Sequence, residues 1–251
     1  MTISCVESVL NVSGYAFVEL SDAAPLRERL HASATALRLR GTVILANEGI
    51  NVALAGEPAR LREWIGGLRG DTRFAAMDLK FSESAALPFR RLNVKVKREI
   101  IRMNQPVVRP QQQRAPSVDA HTLARWLAAG RDDEQREVVL LDTRNGFEVV
   151  QGRFKGALDW RLARFSDFPN ALQARRAELS GKTVISYCTG GIRCEKAALW
   201  MKQEGIDNVV QLDGGILRYF EVNGAAHFEG SCFVFDERTA LDGTLASLEP
   251  K

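Results

Sequence analysis

The sequence predicts a two-domain α/β protein: an α+β domain, then a domain built on a parallel sheet. Three observations carry this. Residues 1–105 alternate short β-branched runs with two amphipathic stretches. Residues 117–226 alternate wholly apolar runs with helical ones, the pattern of strands buried on both faces beneath crossover helices. Between them Gln105 to Pro116 (QPVVRPQQQRAP) holds three prolines and a glutamine triplet, the composition of a linker. The division is therefore residues 1–105, a linker at 106–116, residues 117–226, and a tail at 227–251.

Residues 11–20 read as a strand. Residues 25–39 carry leucines at 26, 30, 37 and 39 among charges, which suits an amphipathic helix with proline in its first turn. Residues 42–46 and 50–55 are β-branched runs joined by Asn47-Glu48-Gly49, a three-residue hairpin loop ending in glycine. A second helix at 57–68 and a strand at 78–83 complete the order β-α-β-β-α-β, that of a ferredoxin-like (acylphosphatase-like) split βαβ domain, and residues 92–101 read as a further strand. In the second domain Asp119 caps a helix that presents Leu123, Trp126 and Leu127 on one face and closes at Gly130. Residues 138–141, 183–187 and 209–212 are its strands.

At 45% hydrophobic and 26% charged residues, the 251-residue chain has a globular composition. No apolar run approaches the roughly 18 residues of a membrane span. Residues 1–20 lack a basic leader and carry Glu7 and Glu19, so the cytoplasm is the expected compartment. Cys5, Cys188, Cys194 and Cys232 are too scattered for a disulfide framework, and each reads by default as a buried thiol. His31, His121 and His227 have no ligand spacing, so no metal site is expected; no glycine-rich dinucleotide fingerprint is present. The net charge of +3 divides into 17 basic and 11 acidic residues over 1–116, and 17 and 20 over 117–251. A basic first half suits a polyanionic partner.

The residues that carry chemistry are Cys188-Thr189-Gly190-Gly191-Ile192-Arg193, followed by Cys194. A buried strand ends at Tyr187 and a helix begins near Arg193, at the carboxyl end of a parallel strand, where open α/β sheets place their ligands. Glycines allow successive N–H groups to turn inward as an anion-binding nest, and the helix terminus adds positive potential. Cys188 at the mouth of such a nest is expected to be a thiolate, with Arg193 as a further donor to a bound anion. Cys194 either packs in the core or resolves an oxidised Cys188 as a disulfide. Asp142 and Arg144 end a strand beside the loop, either as site residues or as a structural ion pair. Glu48 and Asn51 either form the hairpin turn or reach a ligand. Arg90, Arg91, Lys95, Lys97 and Arg98 crowd one strand, which is either a face that follows a phosphate backbone or an edge protected by charge.

The loop resembles a rhodanese active-site loop, and the domain agrees: Asp142-Thr143-Arg144, Glu148, Gly152, Gly156-Ala157, Val209 and Gly214-Gly215-Ile216 follow the rhodanese pattern. Arg153 stands where many rhodaneses have histidine. Four residues separate Cys188 from Arg193, as in sulfurtransferase-type loops, whereas the related dual-specificity phosphatases use five. The string YCTGGIRCEKA, with Ala46-Asn47-Glu48-Gly49-Ile50-Asn51 and Phe233-Val234-Phe235-Asp236-Glu237-Arg238, resembles the bacterial tRNA uridine hydroxylase family along nearly the whole chain. That resemblance implies conversion of the wobble uridine to 5-hydroxyuridine with molecular oxygen as co-substrate, the anticodon arm of tRNA as partner, and Cys188 as the essential residue. Longer members carry a cysteine-rich extension, whose roles are not carried over. The loop by itself equally suits a sulfurtransferase working through a Cys188 persulfide.

Overall fold

The computed structural model describes residues 8–248, and Cys5 lies outside them. The described residues divide into two compact units, one of residues 8–100 with Phe235–Arg238, the other of Ile101–Val234 with Thr239–Leu248.

The first unit runs β1 (Val9–Phe17), α1 (Ala23–Ala36), β2 (Arg40–Ala46), β3 (Gly49–Gly56), α2 (Pro58–Arg69), β4 (Leu79–Ser84) and β5 (Leu92–Val96). Its sheet order, β4-β1-β3-β2-β5, is the ferredoxin-like arrangement with β5 added in parallel beside β2. Leu26, Leu30 and Ala34, four residues apart on α1, face the sheet beside Leu61, Trp64, Ile65 and Leu68 of α2. The hairpin pairs Ala46 with Gly49, so its loop is Asn47-Glu48, one residue shorter than the spacing suggests. Gly49 opens β3 instead, because its φ of +146° and the Ala16 carbonyl oxygen, 2.0 Å from where a Cβ would stand, admit only glycine. The loop faces inward: the Ile100 amide donates to Glu48 Oε1 at 2.8 Å, and Asn51 Nδ2 donates to the Ile100 carbonyl at 3.4 Å. Residues 235–238 complete this unit, with Arg238 Nη1 donating to Ser82 Oγ at 2.7 Å and the Glu237 amide to the Pro88 carbonyl at 3.0 Å.

The second unit contains β6 (Ser117–Val118), α3 (Ala120–Ala129), β7 (Val138–Asp142), α4 (Gly146–Val149), β8 (Gly152–Phe154), β9 (Leu158–Asp159), α5 (Phe168–Arg175), β10 (Thr183–Tyr187), α6 (Ile192–Gln203), β11 (Val209–Leu212), α7 (Gly215–Asn223) and β12 (Phe228–Gly230). The strands expected at 138–141, 183–187 and 209–212 form the centre of a parallel sheet of order β6-β11-β10-β7-β9. All five residues of β10 are buried, as a strand covered on both faces requires. Asp119 caps α3 by accepting the Thr122 amide at 3.0 Å. Two short strands, β13 (Cys232–Phe233) and β14 (Ala240–Leu241), pair antiparallel near the end, and β12 pairs with β8.

The proline- and glutamine-rich segment expected as a linker is seated on this second unit. Met103, Val108 and Ala115 are buried in its core. Lys196 Nζ donates to the Ile101 carbonyl at 3.0 Å, while the buried Glu195 carboxylate accepts from Arg114, the Ala115 amide and Gln211. Buried apolar side chains spaced this widely are too sparse to register as an element, yet Met103, Val108 and Ala115 each fill a core position. Among the described residues, no helix is long and apolar enough to cross a membrane.

Candidate active site

The loop between β10 and α6 is a strand–nest–helix turn. Gly191, the N-cap of α6, takes φ +101°, which tips its amide back toward the strand end. That amide donates to Cys188 Sγ at 3.2 Å. Cys188 is fully buried, at the floor of the nest rather than at its mouth, with half-buried Thr189, Gly190 and Ile192 above it. The expected inward-facing amides are therefore present, but the sulfur lies deeper than expected. The loop is held from beneath by α7: the Ile216 amide donates to the Cys188 carbonyl at 3.0 Å and the Leu217 amide to the Thr189 carbonyl at 3.1 Å. Two helix N-termini thus converge on six residues, both with positive potential toward the sulfur.

Cys194, at the third position of α6, places its thiol 3.3 Å from Cys188 Sγ and donates to it. Burial on its own would push the Cys188 thiol up. Against burial act the Cys194 hydrogen bond, the Arg193 charge and the Cys194 and Arg193 amides, and together they hold Cys188 down at about 5. Cys194 moves the opposite way, raised by its burial and by the adjacent Cys188 thiolate. The pair therefore shares one proton, carried by Cys194. Burial also pushes the Cys232 thiol up, to about 12, so it stays protonated.

The Arg193 guanidinium, expected as a donor to a bound anion, is engaged by a carboxylate. It forms a buried, two-pronged pair with Glu148 of α4, with Nη2 to Oε2 at 2.7 Å. From there it acts on Cys188 through its charge. Glu148 also accepts the Asn145 amide at 3.0 Å, which anchors the start of α4. Asp142 and Arg144 form a second, fully buried pair, closed by Arg144 Nη2 donating to the Gly152 carbonyl at 2.7 Å. Their geometry is that of a structural pair joining β7 to β8. At the rim, the half-exposed Phe147 ring packs edge-on to Phe233 at 5.3 Å, and Thr189 Oγ1 donates to the Phe233 carbonyl at 3.4 Å. No spacing in the sequence joins Phe147 or Glu148 to the loop. The only signal was the position of Glu148 in the rhodanese pattern, which says nothing of its partner.

Arg90, Arg91, Lys95, Lys97 and Arg98 are all exposed, on β5 and its flanks at the edge of the first unit's sheet. Arg90 pairs with Glu237 at 2.7 Å, both side chains at the surface. The structure thus brings Cys188, Thr189, Gly190, Gly191, Ile192, Arg193 and Cys194 together in one unit and the basic residues together in the other.

Residues 9–100 match the family of UPF0176 acylphosphatase-like domains, and residues 123–221 match the rhodanese-like domain family. Over 238 residues, 95% of this chain, the sequence is 58% identical to a tRNA uridine(34) hydroxylase of Bordetella avium, covering 98% of that protein. A protein of the same description from Variovorax paradoxus is 57% identical over 96% of this chain and 92% of its own length. One from Thiobacillus denitrificans is 54% identical over 96% of this chain and 97% of its own. With both domains and nearly every residue accounted for, the chain belongs to the tRNA uridine(34) hydroxylase family.

Proposed function

We propose that this chain hydroxylates the wobble uridine of tRNA to 5-hydroxyuridine in the cytoplasm, with molecular oxygen as co-substrate and Cys188 as the reacting group. The observation that carries the reading is a buried thiolate, held by inward amides, in a chain 58% identical to a relative of that description over 238 residues. The target suits such a site. Bases of the anticodon loop are single-stranded and can be splayed out into a pocket, which is how proteins reach individual RNA bases. The nest and the two helix termini favour negative charge beside the sulfur, so charge developing on the base or on oxygen is stabilised without reorganisation. The exposed basic row Arg90, Arg91, Lys95, Lys97 and Arg98 supplies phosphate contacts for the anticodon arm.

The test is nucleoside mass spectrometry of bulk tRNA from a strain lacking the gene. Loss of 5-hydroxyuridine and its derivatives, restored by the wild-type gene and not by Cys188→Ser, is the expected result. Unchanged hydroxylated nucleosides with loss of a thiolated one would assign the loop to sulfur transfer instead.

A further inference from the structure

We propose that Cys188 and Cys194 are a redox pair that supplies the two electrons of the hydroxylation, so that Cys194 is a second reacting residue. The inference rests on the function proposed above. The two sulfurs stand 3.3 Å apart in a shared hydrogen bond. A disulfide requires about 2.0 Å, so closure needs a movement of little more than 1 Å at the first turn of a helix. Both residues are fully buried, so the pair is shielded from bulk solvent. The arrangement also divides the roles. Cys188 is the thiolate held by amides, and Cys194 keeps the proton.

Hydroxylation by molecular oxygen puts one oxygen atom into a ring C–H bond and must reduce the other atom to water. That reduction takes two electrons and two protons. A thiolate and a thiol supply both electrons on forming a disulfide. One proton comes from Cys194 and the second from solvent, replacing the one Cys188 had given up. Written in full, uridine C–H, O2, the Cys188 thiolate, the Cys194 thiol and one proton give the C–OH product, water and the Cys188–Cys194 disulfide. Atoms, charge and electrons balance. The next turnover needs an external thiol reductant to reopen the disulfide.

The test is a single turnover of the full chain, reduced and then freed of reductant under nitrogen, and mixed with unmodified tRNA and oxygenated buffer. A parallel sample keeps a dithiol in excess. We expect at most one hydroxylated uridine per chain in the first sample, many in the second, and loss of two free thiols per product formed. Trypsin cuts after Lys182, Arg193 and Lys196, so the disulfide links the peptide of residues 183–193 to that of residues 194–196, a species that mass spectrometry identifies directly. Cys194→Ser, which preserves size, should leave the fold intact by thermal melting and abolish the reductant-free turnover. Product formed with both thiols intact, or thiol loss at the same rate without tRNA, would overturn the pair as electron donor while leaving the hydroxylase reading in place. Absence of product in the dithiol sample as well would overturn that reading and the inference with it.

Discussion

A cysteine with no solvent exposure is ordinarily inert, because burial favours the neutral thiol. Cys188 escapes this because the Gly191 amide and the Cys194 thiol donate to it and the Arg193 guanidinium sets positive charge near it. The sign of the resulting pH dependence follows. The thiolate predominates above about pH 5 and is lost as the pH falls through that value, whereas an ordinary cysteine ionises near 9.0. Titration followed by thiolate ultraviolet absorbance, taken as the difference between wild type and Cys188→Ser, should show a midpoint near 5. Cys194→Ala should move that midpoint upward, since it removes the neutral donor. A wild-type midpoint near 9.0 would mean that the amides and Arg193 do not control the sulfur.

At the scale of elements, the loop is a product of two helix starts, and α7 contributes as much as α6. Gly215, at φ +66°, lies so close beneath the loop that a Cβ would stand 2.5 Å from the Cys188 carbonyl oxygen and 2.8 Å from the Gly191 nitrogen. Gly215→Ala should cost about 2–4 kcal/mol, from a left-handed alanine and an overpacked contact together. It should also displace the loop and lower activity. Gly130→Ala is the control: φ is +69° there too, but nothing lies within 4 Å of the added methyl. It should cost about 1 kcal/mol and leave activity unchanged. Urea unfolding and turnover of the two variants separate the terms, and equal losses of activity would remove α7 from the account of the site. Elements differ in the same way in how far the sequence reveals them. β10 and β11 are legible to the residue, because short runs rich in β-branched residues and bounded by turn residues read as strands, and the cysteine loop stands out because it follows such a strand. The Glu148–Arg193 pair spans 45 residues, and the α7 amides act through the backbone, so neither leaves a local pattern. Met103, Val108 and Ala115 were invisible for a related reason: isolated apolar residues gain meaning only from the surface they meet.

At the scale of the whole molecule, charge is divided by domain, with 17 basic and 11 acidic residues before position 117 and 17 and 20 after it. The excess has a definite location in β5, an edge strand whose Val94 is buried while Lys95 and Lys97 are exposed. The hydrogen bond that continues the ladder there, from the Lys97 amide to the Leu45 carbonyl at 2.8 Å, is made by the backbone and does not depend on the side chain. Edge protection and RNA binding both call for lysines at these positions, but they differ in what removal does. If the lysines only guard the edge, Lys95→Ala with Lys97→Ala should increase aggregation and leave tRNA affinity alone. If they bind phosphates, the folded protein should keep its stability within about 0.5 kcal/mol. Its tRNA affinity should then fall at low salt, and the slope of log affinity against log salt should become shallower by about 0.7 for each phosphate of a single strand that is no longer neutralised. Filter binding across a salt series reads both quantities at once. Each released counterion is counted by the slope and not by affinity at one salt, so an unaltered slope would return this strand to the role of a guarded edge even if affinity changed.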